Sequence, residues 1–371
     1  HVHVNEPGRT AWEGFRTATN AAAAGGITTI IDMPLNSIPP TTTLENLKTK
    51  VKSASGHVYV DVGFWGGVIV GNQVGIYLLT LFLDPEEYKT YLESRPPRME
   101  LNAITLITSF LERTDVRVHV VHVSSATVVP LLEKARASRL AKGHQAWRGG
   151  VTAETCHHYL TLSASDVPRG HSEYKCAPPI RDADNKEKLW KYLLDDKLDL
   201  VVSDHSPCTP DLKCSNTLEA WGGISSVQFG LSLFWTQASH RGLDLRSISK
   251  YLSAGPANLC GLQDRKGTLK PGLEADLVYF DPDESFIVTP GIIRHKNKLT
   301  PYVGKELKGV VKKTYVRGQL VFGDGDIVHH GFSLLISIFH RCTKTFFNER
   351  YHTRSSVFHI QPLSATSLAQ W

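Results

Sequence analysis

Residues 200–206 read Leu200-Val201-Val202-Ser203-Asp204-His205-Ser206, an apolar run that ends abruptly in an acid. Such a run is a buried strand, and in a parallel α/β architecture the side chains that do chemistry sit where strands end. A carboxylate placed there can bind a metal through one oxygen and take a proton from water. Asp-His after a strand also reads as a helix N-cap, and the segment alone leaves both readings open.

Working outward, residues 28–33, 57–64, 117–123 and 151–155 are runs of the same kind, each closing in polar or turn residues. Helical stretches at 10–25, 42–55, 99–113, 126–137 and 186–195 alternate with them, and glycine closes the first as a C-cap. Strand and helix in alternation through the first two thirds predict an α/β fold with a parallel sheet. After Asp264 the texture changes. Residues 267–281 and 310–321 carry short alternating strands with Gly turns, as in a small β-sandwich appended to the larger domain. The organisation expected is 1–263 for the α/β domain, 264–328 for a partial sandwich, and 329–371 for an unrelated tail with neither helical period nor turn logic, disordered and outside any domain.

The 371 residues are enough to bury a large core. A hydrophobic share of 41% and a charged share of 21% exclude a disordered or fibrous chain. The net charge of +5 is mildly basic, and residues 329–371 hold Arg341, Lys344, Arg350 and Arg354 against Glu349 alone. No run of like charges forms a nucleic-acid stripe, so no nucleic-acid partner is expected. Six cysteines without a CxxC pair are not a disulfide or zinc-finger framework and fit reduced thiols in an intracellular, cytoplasmic protein. No apolar stretch reaches the roughly 18 residues that would cross a bilayer, so no membrane partner is expected either. The nearest, Val74-Gly75-Ile76-Tyr77-Leu78-Leu79-Thr80-Leu81-Phe82-Leu83, is too short.

Further segments carry metal-binding residue types. In His1-Val2-His3 the histidines are separated by one residue, so on a strand both face one side and can reach one cation. A tag remnant or exposed terminus would read the same way. In Arg117-Val118-His119-Val120-Val121-His122-Val123-Ser124-Ser125, His119 and His122 fall on opposite faces. His122, at the strand's end, is the better ligand candidate, and His119 is expected outside against a helix. His157 and His158 follow another strand end, where packed histidines are expected, one of them within reach of a ligand or substrate. Cys176-Ala177-Pro178-Pro179-Ile180-Arg181 is a rigid loop that could line a pocket or simply turn the chain.

These segments stand with HVHVNEPGRTAWEGFRTAT, AAAAGGITTIIDMPLNSIPPT, AETCHHYLTL, VVSDHSPCTPDLK, AWGGISSVQFGL and KGTLKPGLEADLVYFDPD in a sequence that resembles the allantoinases, cyclic amidohydrolases of the metal-dependent amidohydrolase superfamily. The order is the family's, from residue 1 to about Asp326. The resemblance implies a TIM-type (β/α)8 barrel carrying a small β-sandwich. It also implies hydrolysis of the ring amide of allantoin to allantoate in purine and ureide catabolism, and two zinc ions bridged by a carboxylated lysine and a hydroxide. Carried onto this chain, it makes His1, His3 and Asp204 ligands of the first metal and His122 a ligand of the second. Asp204 would also move the proton from the attacking oxygen to the leaving nitrogen. Asn36 and Ser206 are implied substrate contacts, and a homo-oligomer is implied as well.

The chain departs from the family pattern in one place. The bridging lysine and a further ligand histidine belong between Gly71-Asn72-Gln73 and the block beginning Asp84-Pro85-Glu86, and residues 65–88 contain neither lysine nor histidine. A barrel lacking about two βα units near 74–84, and truncated at its start, is therefore expected, with at most one tightly held metal and weak turnover. The same loss favours a second reading, a non-catalytic scaffold or interaction subunit that keeps the fold. The wording EPGR and MPLNS argues against the neighbouring dihydropyrimidinase and dihydroorotase readings.

Overall fold

The structure is a computed structural model that describes residues 1–67 and 84–328 together with the strands Leu335–Ile336 and Val357–Ile360. The chain divides into two compact units. Among the described residues the first takes 1–67, 202–214, 221–328 and Leu335–Ile336, and the second takes 84–201, 215–220 and Val357–Ile360.

The first unit begins with a three-stranded parallel sheet. Strand β1 (Thr29–Asp32) pairs with β2 (Asp61–Phe64), Thr29 opposite Asp61. Residues 1–4 run beside β1 without forming a full strand. Val2 bridges Asp32 on one side and His205 on the other, and it exchanges backbone hydrogen bonds with Ile31 and Met33. Helix α1 (Phe15–Ala24) leads into β1, and α2 (Leu44–Ala54) connects β1 to β2. The helix expected from residue 10 starts only at Phe15, because Gly14 has φ +110°, which no helix permits, and the Glu6 carboxylate accepts the Phe15 N–H at 2.8 Å as a cap. Alanines 21–23 of α1 are fully buried.

The second unit holds a four-stranded sheet in the order β11-β3-β4-β5, from β3 (Arg117–Val120), β4 (Val151–Cys156), β5 (Leu200–Val202, whose last residue is counted with the first unit) and β11 (Val357–Ile360). Both β4 and β11 pair parallel with β3. Around it lie α3 (Tyr88–Glu93), α4 (Pro97–Leu111), α5 (Val129–Ala141), α6 (His157–Thr161) and α7 (Ala183–Leu194). Trp190 and Tyr91 fill its interior.

The remaining described chain belongs to the first unit. Helix α8 (Gly230–Ser239) packs on an antiparallel sheet of β6 (Leu277–Ile287), β7 (Glu306–Val316), β8 (Gln319–Gly323) and β9 (Asp326–Ile327). Of the expected sandwich strands, 310–321 falls on β7 and β8, whereas residues 267–276 form turns and the strand begins at Leu277.

The alternating strands and helices expected between residues 28 and 203 are present within a few residues of each bound, and β1 with β2 and β3 with β4 pair in parallel. The parallel strands form two open sheets among the described residues. Strands β2 and β3, which flank the expected gap in the sequence, are not sheet edges. Strand β10 (Leu335–Ile336) lies parallel on β2, and β11 lies parallel on β3. An unpaired strand edge exposes a row of hydrogen-bonding groups, and pairing removes that liability. Both strands come from the stretch expected to lie outside any domain. The rest of that stretch, and the apolar run 74–83, fall outside the described residues.

Candidate metal centre

Asp204 lies just past β5 with φ +45°, a left-handed conformation that turns the chain out of the strand direction. Its Oδ1 is 3.2 Å from His1 Nε2 and 3.4 Å from His3 Nε2. The ligating atoms of the three residues all fall within 4.8 Å of one another, and their side chains are almost wholly buried. The structure therefore brings together the HxH pair and a strand-end acid about 200 positions later in the chain. Two imidazole nitrogens and one carboxylate oxygen make an N2O donor set suited to zinc and similar divalent ions.

The surrounding hydrogen bonds explain why these residues converge. The His3 N–H donates to the His205 carbonyl at 2.8 Å, and the Val4 N–H donates to Asp32 Oδ1 at 2.8 Å. Asp32 is itself buried against the Lys50 ammonium at 2.5 Å, so the acid that ends β1 is neutralised and holds the His1-to-Val4 backbone in place. Ser203 Oγ donates to the His1 carbonyl at 3.2 Å. Each ligand segment is thus anchored to the next strand by its main chain.

Asn36, expected as a substrate contact, has φ +70° and lies 3.2 Å through Nδ2 from His3 Nδ1. It touches the back of a candidate ligand, a position that fixes the ring's orientation and tautomer. Arg9 Nη1 donates to the Asn36 carbonyl at 3.2 Å, while its guanidinium stacks 4.4 Å from the Trp12 ring centre and 5.5 Å from that of Trp221. The two indoles meet edge to face at 4.6 Å. Burial lowers the pKa of this guanidinium. Ser206, the other expected substrate contact, is buried and commits its N–H to the Ile224 carbonyl at 3.0 Å.

His205 and Glu13 were not among the residues singled out from sequence. The His205 ring is buried with Nε2 at 3.2 Å from Glu13 Oε2, and its Nδ1 takes the N–H groups of Ser226 at 3.0 Å and Val227 at 3.3 Å. Burial, the largest single influence, works to raise the Glu13 carboxyl, but the hydrogen bond and charge interaction with His205, together with His295 and Thr17, hold the group below its usual value. His295, 5.5 Å from His205 between ring centres, donates through Nδ1 to the Asn297 carbonyl, and burial lowers its pKa to about 3.

In the second unit β3 ends at Val120, so strict alternation does not extend to His122, which sits beyond the strand at φ +39° and is fully buried. His119 is buried, Nδ1 at 2.9 Å from Thr152 Oγ1 and Nε2 at 3.1 Å from Glu154 Oε2 on the neighbouring strand. The loop after His122 is held by Glu100, whose Oε1 accepts the N–H groups of Ser124 and Ser125 at 3.1 Å each while Oε2 takes Arg181 Nη2 at 2.7 Å. Arg181 closes the CAPPIR segment, so that loop has a structural duty. His157 and His158 are buried at the start of α6, His158 edge-on to Tyr159, and burial lowers the His157 pKa to about 3.

Residues 71–321 match the amidohydrolase family. The chain is 42% identical to the allantoinase of Streptomyces avermitilis over 380 positions, covering 88% of this chain and 83% of that protein. Those 380 aligned positions outnumber the chain's own 371 residues, so the relative holds residues within the matched stretch that have no counterpart here. Identity to the Saccharomyces cerevisiae allantoinase is 39%, covering 87% of this chain and 81% of that one, and to the Arabidopsis thaliana allantoinase 37%, covering 88% and 76%. Among solved structures, the L-hydantoinase (dihydropyrimidinase) of Arthrobacter aurescens superposes with a TM-score of 0.80 at 25% identity, covering 91% of this chain and 87% of that one. The dihydropyrimidinase of Brevibacillus agri gives 0.77 at 24%, covering 92% and 87%. These neighbours share a TIM-barrel-type fold with this chain.

Proposed function

The chain belongs to the amidohydrolase family, with allantoinases as its relatives, and from that premise we propose that His1, His3 and Asp204 hold one zinc ion and open the ring amide of allantoin. It is a hydrolase of C–N bonds in cyclic amides, and its reaction converts allantoin to allantoate. The observation that carries the assignment of residues is the convergence of both imidazoles on one Asp204 oxygen.

A divalent ion held there supplies Lewis acidity to the ring carbonyl and brings the pKa of water near neutrality. The chain's own residues do the rest. Neutral His1 and His3 present their Nε2 lone pairs, and Asn36 holds the His3 ring from behind. The Asp204 carboxylate accepts the proton of the attacking water and returns it to the ring nitrogen as the C–N bond breaks. The site's burial keeps bulk water away from that transfer and strengthens its electrostatics. Ser206, two residues past Asp204, is taken as a substrate contact, and Asn36 contributes through His3.

His122 is the residue the resemblance assigns to a second metal. With no lysine or histidine in residues 65–88 to complete that second site, one tightly bound zinc per chain is the expected content. The surplus of aligned positions in the bacterial relative supports the loss of about two βα units near 74–84. The same loss supports the second reading, a non-catalytic subunit that keeps the fold. The hydantoinase and dihydropyrimidinase neighbours support membership of one superfamily and do not favour their substrates here. We place the protein in the cytoplasm as a homo-oligomer. Among the described residues no helix is long and apolar enough to cross a membrane.

Ring-opening assays with allantoin, dihydrouracil and dihydroorotate on zinc-loaded protein test the assignment. Allantoate formation, weak and confined to allantoin, is expected. Turnover of either other ring in preference, or of none at any zinc level, would favour the alternatives.

A further inference from the structure

Glu13 bonds to none of the three candidate ligands, yet it controls the residue that follows one of them. Because His205 Nδ1 receives two backbone N–H groups, that nitrogen must offer its lone pair, so Nε2 carries the proton and donates to Glu13 Oε2. The other Glu13 oxygen accepts the Lys296 N–H at 3.1 Å. Three partners leave the His205 ring no freedom to rotate, and both side chains are fully buried.

The consequence reaches the ligands through the main chain. His205 follows Asp204 directly, its carbonyl receives the His3 N–H at 2.8 Å, and its N–H reaches Ser203 Oγ, which in turn bonds the His1 carbonyl. Asp204 at φ +45° occupies a left-handed region unfavourable to most L-residues, one that persists where the surroundings impose it. The locked His205 ring is such an imposition. We infer that Glu13 is a positioning residue for the metal centre: by fixing His205 it holds the backbone that presents Asp204 and His3 to one cation. The inference rests on the reading of the triad as a zinc site. A merely structural Glu13–His205 pair would stabilise the fold and leave the triad's geometry and affinity alone.

The test uses the full chain and three readouts: zinc affinity by chelator competition, the visible spectrum of the cobalt(II)-substituted protein, and the unfolding midpoint without metal. Glu13→Ala is expected to weaken zinc binding about 10–100-fold and to alter the cobalt spectrum, as loss of a ligand-orienting partner does. Glu13→Gln, which keeps an oxygen for the His205 Nε2–H, recovers most of both. Trp235→Phe, which removes a partly buried hydrogen bond to the Pro282 carbonyl at 2.7 Å, lowers the unfolding midpoint without moving either metal readout. Glu13→Ala with wild-type affinity and spectrum overturns the inference, as does a loss of affinity that follows the unfolding midpoint equally in Glu13→Ala and Trp235→Phe. If Glu13→Ala does not fold, Glu13→Asp decides. Its shorter reach weakens zinc binding if the inference holds, and wild-type binding overturns it. A wild-type chain that takes up no zinc removes the zinc reading and this inference together, whereas normal wild-type uptake with unaffected variants removes this inference alone.

Discussion

Asp204 in the first unit and His122 in the second leave their strand ends in the same backbone region, φ +45° and +39°, and each is followed by a loop tied to a buried glutamate. In the first unit Glu13 acts through the His205 ring. In the second Glu100 grips the main chain at Ser124 and Ser125 and pairs with Arg181. The supports are alike and the equipment differs. Asp204 meets two histidines inside its own unit, while the residues that family resemblance would place beside His122 are missing from residues 65–88. The difference teaches that the loop after a strand end is held by the buried polar groups around it, whether or not metal-binding residue types gather beside it.

The sharpest way to break this comparison is to disable each strand end in turn. Asp204→Asn should lower allantoin turnover by about 10²–10⁴-fold, the range of a lost general base, and deplete bound zinc. His122→Ala should leave zinc content at about one equivalent and turnover near that of the parent. Metal analysis beside initial rates checks both, and a His122→Ala protein that loses its zinc would show the second unit to be the metal centre. Glu100→Ala comes next. It strands the Arg181 guanidinium in the interior and orphans two N–H groups, so a loss of about 3–5 kcal/mol in denaturant unfolding is expected, with zinc affinity unchanged.

The parts of this molecule legible in the sequence are those whose signal is local. Apolar runs ending in Asp204 or His122 announce strand ends, and one-residue spacing puts His1 and His3 on a common side. The turn at Gly14 was hidden inside a helical-looking stretch because the pattern of side chains says nothing of a φ that only glycine adopts readily. Reading 117–123 as one strand carried strict alternation as far as His122, since the run of apolar residues continues past the point where the strand ends at Val120. The two supporting glutamates were illegible for a different reason. Glu13 finds His205 at a separation of 192 residues and Glu100 finds Ser124 at 24, and acids on helical stretches normally face water. Only tertiary packing tells which acid turned inward.

Each unit also buries one histidine with a pKa of about 3, His295 in the first and His157 in the second, against an ordinary value of 6.5. Between those values the unfolded chain takes up protons that the folded chain refuses. The unfolded state therefore binds more protons throughout the window, and stability falls as pH drops through it. At about pH 4.5 each histidine should account for roughly 2–3 kcal/mol of lost stability, because every pH unit below the ordinary value is worth about 1.4 kcal/mol. His295→Gln and His157→Gln should each flatten the dependence in urea unfolding curves. Equal slopes in parent and variants would mean that both rings take up protons in the folded state.

Asn36 separates orienting a ligand from contacting substrate, with the smallest effect of the set. When His3 gives its Nε2 lone pair to a cation, Nδ1 must carry the ring proton and donate. The Asn36 amide then turns its oxygen, rather than its NH2, toward the ring, a flip that leaves its shape unchanged. Asn36→Leu removes that acceptor and should weaken zinc binding about tenfold, at the low end for a ligand-orienting partner, while Asn36→Asp, which keeps an oxygen there, should hold the metal at least as well as the parent. KM for allantoin should move little in either variant. If instead zinc affinity is untouched and KM rises in Asn36→Leu, the amide faces the substrate, and the His3 ring is oriented by its main-chain anchorage to His205 alone.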